Sequence, residues 1–373
     1  MFIRLKPQKF VTKSGHSKLI PVPGVVNSNV LNMNKPLLKF TPSSIYCPAA
    51  DIHIDPWKPV DRAIITHAHS DHAKFGCKHY LAHKDSESIL RLRLGEDISL
   101  QTVEYGEEFS INGVKFSLHP AGHIIGSAQI RVEHKDEVWV ASGDYKLQDD
   151  GFAAPFEPVK CNAFITESTF GLPIYKWPAQ ADIMNDISEW WRQNRMTGKA
   201  SILMGYSLGK MQRLIKNLQP FDGAVFAHGA TFNLNERLRA VGHDLPFIPL
   251  ITKDTDRKLF RGALILAPGS VLNTSWIKKF EPYSTGYCSG WMAVRGAKNR
   301  KAIDRGFVLS DHADWNDLES AIAETGAQKV YVTHGYTDTY ARWLNEKGIE
   351  AAEVKTMYGQ EEEAAEEEII AES

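Results

Sequence analysis

The sequence predicts an α/β chain built in two parts, and three observations carry that prediction. Short apolar runs recur and end at polar groups. Ala63-Ile64-Ile65 stops at Thr66-His67, and Val330-Tyr331-Val332 stops at Thr333-His334. Over residues 175–301 strand and helix patterns alternate, which reads as a small parallel sheet inserted into the main fold. Finally, 43% hydrophobic and 24% charged residues leave apolar material for a sizeable core.

At 373 residues the chain suffices for two domains or one elaborated domain. A formal net charge of -2 gives no global basic field, so contact with nucleic acid must come from a local patch. Cys47, Cys77, Cys161 and Cys288 form no C-x-x-C pair, which speaks against a cysteine zinc site and a disulfide framework. A reducing, cytoplasmic compartment is the simplest expectation. No apolar run is long enough to span a bilayer, and the first residues lack the apolar core of a signal peptide.

Residues 1–32 read as an N-terminal extension or leader, basic and without periodicity, with Met33 as a candidate true start. Residues 33–174 form the first part of the main domain. Residues 37–40 read as its first strand. Residues 63–65 read as a buried strand, and Ala73-Lys74-Phe75 as a helix start. Residues 86–94 carry helical spacing, and residues 100–118 read as β hairpins with a turn at Asn112-Gly113. Val138-Trp139-Val140-Ala141 is a buried strand ending in Gly143-Asp144. In the inserted part, residues 181–191 and 210–218 read as helices, and 200–204, 224–227 and 263–267 as strands. Gly205 to Lys210 is too short for a phosphate loop and Met211 replaces its Ser/Thr, though it can still aim a helix N-terminus at a phosphate. Residues 302–358 return to the main domain with strands at 306–309 and 329–332 and a helix at 318–325; residues 359–373 are an acidic, frayed tail.

The organising stretch is Thr66-His67-Ala68-His69-Ser70-Asp71-His72. Burying three imidazoles and a carboxylate unpaired would cost several kcal/mol, so packing does not account for them. His67 and His69 alternate and can aim at one ion; Asp71 and His72 come later and point to a second. Such ligands suit zinc, or manganese and iron where oxygen dominates. Arg295, Lys298, Arg300, Lys301 and Arg305 form a local basic segment, either a solvated face or a grip on a phosphate backbone.

The His-x-His-x-Asp-His run resembles the signature of the metallo-β-lactamase superfamily. Ala121-Gly122-His123-Ile124-Ile125-Gly126-Ser127-Ala128 and Gly143-Asp144 resemble its next motifs. Glu167-Ser168-Thr169-Phe170-Gly171, Ser310-Asp311-His312-Ala313-Asp314 and the strand ending at His334 resemble motifs A, B and C of its nucleic-acid-processing β-CASP branch. The resemblance covers about residues 38–334. It implies an αββα sandwich with a two-metal site at one edge and an α/β cap over residues 175–301. Carried over by motif, His67, His69, His123 and Asp144 hold one divalent ion, and Asp71, His72, Asp144 and His334 a second. Zinc is expected, with manganese as the alternative. His312, Glu167 and Asp71 make up the catalytic set, His312 protonating the departing oxygen or binding the scissile phosphate. Asp51 is assigned to receive a ring N–H from a ligating histidine, with Asp55 its competitor.

The resemblance implies a phosphodiesterase acting on nucleic acid. Tyr46-Cys47-Pro48-Ala49, Ser289-Gly290-Trp291-Met292 and the wording of residues 305–315 resemble bacterial exonucleases linked to DNA ligase and helicase genes. A DNA-repair exonuclease functionally associated with a ligase and a helicase is therefore expected. His334 at motif C points instead toward the RNA-processing members, so an RNA endonuclease or 3′-end processing enzyme is the alternative. A small-molecule hydrolase is a further one, against which the cap and motif B speak.

Overall fold

The computed structural model describes residues 36–355, and the side chain of Arg300 is not among the described groups. The extension expected over residues 1–32 and the tail expected over 359–373 lie outside the described residues.

The chain first lays down a sheet in sequence order: β1 (Lys39–Phe40), β2 (Ile45–Cys47), β3 (Ile52–Ile54), β4 (Arg62–Ile64), β5 (His79–His83) and β6 (Leu100–Val103). The first three strands pair antiparallel and the rest parallel, with α1 (Glu87–Leu94) crossing from β5 to β6. Two expectations change here. No helix starts at Ala73: the segment turns back at once, Ala73 N–H bonding to the His69 carbonyl, and Phe75 is left exposed. Residues 100–103 are no hairpin arm either, but join the first sheet. Only β7 (Phe109–Ile111) and β8 (Val114–Pro120) form the expected hairpin, with Asn112 and Gly113 both at positive φ.

The second sheet continues with β9 (Ala128–His134), β10 (Glu137–Ala141) and β11 (Ala163–Ser168). The chain then leaves for an inserted unit: α2 (Gln180–Met196), β12 (Ala200–Gly205), α3 (Lys210–Asn217), β13 (Val225–Ala227), α4 (Gly229–Ala240), β14 (Leu264–Pro268), β15 (Tyr283–Cys288), α5 (Ala297–Arg300) and β16 (Arg305–Phe307). Its five strands are all parallel, in the order β13-β14-β12-β15-β16. The sheet therefore runs past the expected boundary at residue 301, because β16 pairs with β15 before the chain returns. After α6 (Trp315–Thr325), β17 (Lys329–Gly335) slots beside β11, and α7 (Thr337–Glu346) and β18 (Glu350–Glu353) complete the order β18-β17-β11-β10-β9-β8-β7.

Period-2 alternation explains the layers. In β10 and β11, Trp139, Ala141, Ala163 and Ile165 face the first sheet and meet Ile45, Ile54, Ile64 and Leu81. Val140 and Phe164 face the other way, onto Leu318, Ile322, Tyr340 and Leu344 of α6 and α7. The outer face of the first sheet, through Ala63, Tyr80 and Ala82, packs with α1 and with Leu214, Leu234 and Leu238 of the inserted unit. The main domain is thus an αββα sandwich, with the inserted unit resting on one helical layer. No helix among the described residues is long and apolar enough to cross a membrane.

Phe116 is fully buried between the two sheets. Phe116→Ala should cost about 3–5 kcal/mol, read as a lower denaturant midpoint with an unchanged slope.

Candidate metal centre

Strands of both sheets end at one edge of the sandwich, and each delivers a polar group there. β4 runs into His67, His69, Asp71 and His72; the β8–β9 turn carries His123; β10 runs into Asp144; β11 ends with Glu167 and Ser168; β17 ends with His334 and Gly335. His312 follows β16 in the return from the inserted unit. Close approach of β10's exit to the ligand turn demands a glycine: Gly143 has φ +57°, and a Cβ there would lie 2.6 Å from Thr66 Oγ1.

Two groups of potential ligands result, sharing Asp144. His67, His69, His123 and Asp144 form one; Asp71, His72, Asp144 and His334 form the other. In the first, His69 Nδ1 lies 3.1 Å from Nε2 of both His67 and His123. Asp144 Oδ2 stands 3.6 Å from His67 Nε2 and 3.9 Å from His123 Nε2. Atoms about 2.0–2.1 Å from a tetrahedral zinc lie roughly 3.3 Å apart, so this spacing fits an ion. In the second, His72 Nε2 is 3.6 Å from Asp71 Oδ2 and 3.5 Å from Asp144 Oδ2, while His334 Nδ1 is 3.6 Å from Asp144 Oδ1. Buried Asp144 Oδ1 has no partner within hydrogen-bonding distance among the described residues. A buried carboxylate oxygen left so is what a divalent cation satisfies. His67 and His123 are both held well below the ordinary imidazole range, by burial first and by neighbouring imidazoles second. Neutral imidazole is the form that ligates.

The ring orientations are fixed from behind. His123 Nδ1 faces the Asp311 carbonyl at 2.6 Å, His69 Nε2 faces that of Leu208 at 3.3 Å, and His67 Nδ1 lies 3.1 Å from Thr66 Oγ1. For His72 the structure corrects the expected partner. Asp55, not Asp51, takes the ring: its Oδ2 lies 2.7 Å from His72 Nδ1, and its Oδ1 accepts the Thr66 N–H at 2.8 Å. Asp51 is exposed and bonds Tyr46 and Arg62. The reason is direction. The two aspartates flank β3, and only the C-terminal end of β3 lies beside the ligand turn.

A third group adjoins the first two: Asp144, Glu167 and His312. Glu167 Oε2 is 2.8 Å from His312 Nδ1, and Glu167 Oε1 accepts the Tyr145 N–H at 2.8 Å. Burial works against a charged His312, but the Glu167 and Asp144 carboxylates outweigh it and push the ring up to about 9. Glu167 is itself buried, so its charge acts with little screening.

The inserted unit adds two cations, Lys210 from the stretch that resembles a short phosphate loop and Arg213, which the sequence did not single out. Lys210, at the start of α3, stands 3.2 Å from Asp311 Oδ2. Fully buried Arg213 donates to the Ser310 carbonyl at 2.5 Å, to Gln148 Oε1 at 2.7 Å and to Gln180 Oε1 at 2.6 Å, and pairs with Asp311. An arginine inside an apolar helix face signals such a clamp, but sequence does not say on what. A cleft of about 500 Å³ opens over all three groups, lined also by Thr169, Phe170, Tyr206, Lys210, Gly290 and Trp291. The expected basic grip is elsewhere: Arg295, Lys298, Lys301 and Arg305 are exposed and none lines this cleft. Lys301 covers the Tyr287 ring and Arg305 faces Asp186.

No family model matches the chain. It is 30% identical over 309 residues to a probable DNA ligase of Opitutus terrae, covering 82% of this chain and 30% of that protein. It is 29% identical over 124 residues to cleavage and polyadenylation specificity factor 73 of Drosophila melanogaster, covering 33% and 18%. To an RNase J-like protein of Methanocaldococcus jannaschii it is 26% identical over 184 residues, covering 42% and 43%. The chain thus spans less than half the length of each of these relatives. A crystal structure of a protein of unknown function from Enterococcus faecalis V583 shares the fold, with a TM-score of 0.55 over 80% of each chain at 14% identity. These relatives include members of the β-CASP branch of the metallo-β-lactamase superfamily, the branch whose motifs the segments at Glu167, His312 and His334 resemble.

Asp55→Asn should lower affinity for the second ion about 10–100-fold, whereas Asp51→Asn should leave it unchanged. Metal titration of both variants by calorimetry separates them.

Proposed function

We propose that this chain is a nuclease that hydrolyses phosphodiester bonds with two divalent ions, zinc before manganese. Asp144, shared between two ligand groups and 3.9 Å from His312, is the observation that carries this reading. When bound, an ion pair supplies positive charge against the phosphodiester and activates water for in-line attack. Everything else falls to the chain's own side chains. His312 Nδ1 is taken by Glu167, so Nε2 is the nitrogen left to give a proton to the departing oxygen. Burial opposes a charged ring, but the Glu167 carboxylate at Nδ1 raises its pKa and favours the protonated form that this step needs. Asp71 is partly exposed at the cleft floor, and Lys210 brings a cation into its lining. Arg295, Lys298, Lys301 and Arg305 are candidates for the strand beyond the cleft, with Arg300 completing the segment.

A DNA-repair exonuclease in the cytoplasm, working beside a ligase and a helicase, is the finer form of the proposal. The relative named a probable DNA ligase supports it, since its matched part covers most of this chain. RNA is the second reading, favoured by relatives named as an RNase and as a polyadenylation factor. Parallel digestion of end-labelled single- and double-stranded DNA and RNA across zinc and manganese decides between them. DNA loss is expected, and degradation of RNA alone would overturn the DNA reading.

His312→Ala should cut turnover about 10²–10⁴-fold while bound metal, measured by plasma emission, stays at the wild-type level.

A further inference from the structure

The Ser289-Gly290-Trp291 segment has no part in the chemistry above, yet all three residues line the cleft. Trp291 is partly exposed, while the rings behind it are not. Phe170 and Tyr175 are buried, with ring centroids 4.8 Å and 5.7 Å from that of Trp291. Trp177 packs edge-on to Phe170 and is tied to the motif that carries His312: its Nε1 donates to the His312 carbonyl at 2.9 Å, its backbone N–H to Asp314 at 2.8 Å. Gly290 makes this contact feasible, because a Cβ there would come within 2.5 Å of Phe170 and 2.9 Å of Trp177. The Trp291 indole is therefore held on a rigid aromatic backing. Phe170, between them, lies 6.0 Å from the His312 ring.

A partly exposed indole in the same cleft as a proton donor and a candidate metal centre is poorly explained by packing alone, which would bury it. A flat apolar face next to anion-binding groups suits a base attached to a bound phosphate. A cleft of about 500 Å³ has the size that takes a small organic molecule. A single nucleotide fits that description. We propose that Trp291 is the stacking platform for the base next to the phosphate facing His312, so that nucleic acid enters as an unpaired end. This inference rests on the nuclease reading above.

Single-stranded DNA oligonucleotides carrying one abasic tetrahydrofuran residue at successive positions test it. Affinity is read by fluorescence anisotropy on phosphorothioate-protected strands, and cleavage on unprotected ones. An abasic residue at one position should weaken the wild type roughly five- to hundredfold. Trp291→Ala should lose a similar factor on the intact strand and be indifferent to that abasic residue; Trp291→Phe should keep most of the binding. A wild type indifferent to abasic residues at every position, or a Trp291→Ala variant losing the same factor on intact and abasic strands, would overturn the assignment. A wild type that neither binds nor cuts any strand would instead overturn the nuclease reading, and the stacking with it.

Discussion

A carboxylate taken out of water must be met by positive charge, or it costs several kcal/mol. Asp144 is 4% exposed, and five imidazoles surround it within 4 Å: His67, His72, His123 and His312 at Oδ2, and His334 at Oδ1. Burial raises its pKa, but the His72 and His312 rings outweigh burial and hold it well below the usual carboxylate range; a bound divalent ion would take over this compensation from His72. These imidazoles come from four places in the chain, His67 and His72 sharing the exit of β4, so the sheets must stack in one register for the carboxylate to be tolerated. The sandwich core and the polar edge are in this sense one constraint, with the apolar alternation of β10 and β11 setting which groups reach the edge.

The inserted unit belongs to the same balance. Asp311 carries a second buried charge, and Lys210 and Arg213 of α3 compensate it. Its backbone carbonyl in turn fixes the His123 ring. One short helix from the inserted sheet thus steadies both a ligand of the first group and the segment bearing His312. A lid hinged freely over the site would lack such ties.

Much of this was legible in the sequence because polar groups directly after apolar strands have few structural uses. His67, His69, Asp71, His72, His123, Asp144, Glu167, His312 and His334 all converge. Direction was less legible. Asp51 and Asp55 are four residues apart with similar surroundings, and only the pairing of β3 with β4 shows which end of β3 meets the ligand turn. Residues 100–118 show the same gap, since alternation marks a strand without naming its sheet. The basic run around Arg295 drew attention by charge density, whereas the cation in the cleft, Lys210, stands alone in sequence. Solvated charge clusters visibly; a buried one is distinguished only by its partners.

The return of β17 to the second sheet after the long excursion has a consequence for synthesis. Ligands of the first group all lie before residue 145, within the part of the chain made first. The second group waits for His334, held at a left-handed backbone angle where β17 shifts register against β11. The residues of the first group are thus made early, but His69 and His123 are oriented only after Leu208 and Asp311 have emerged, and the centre stays incomplete until nearly all of the described polypeptide has been made.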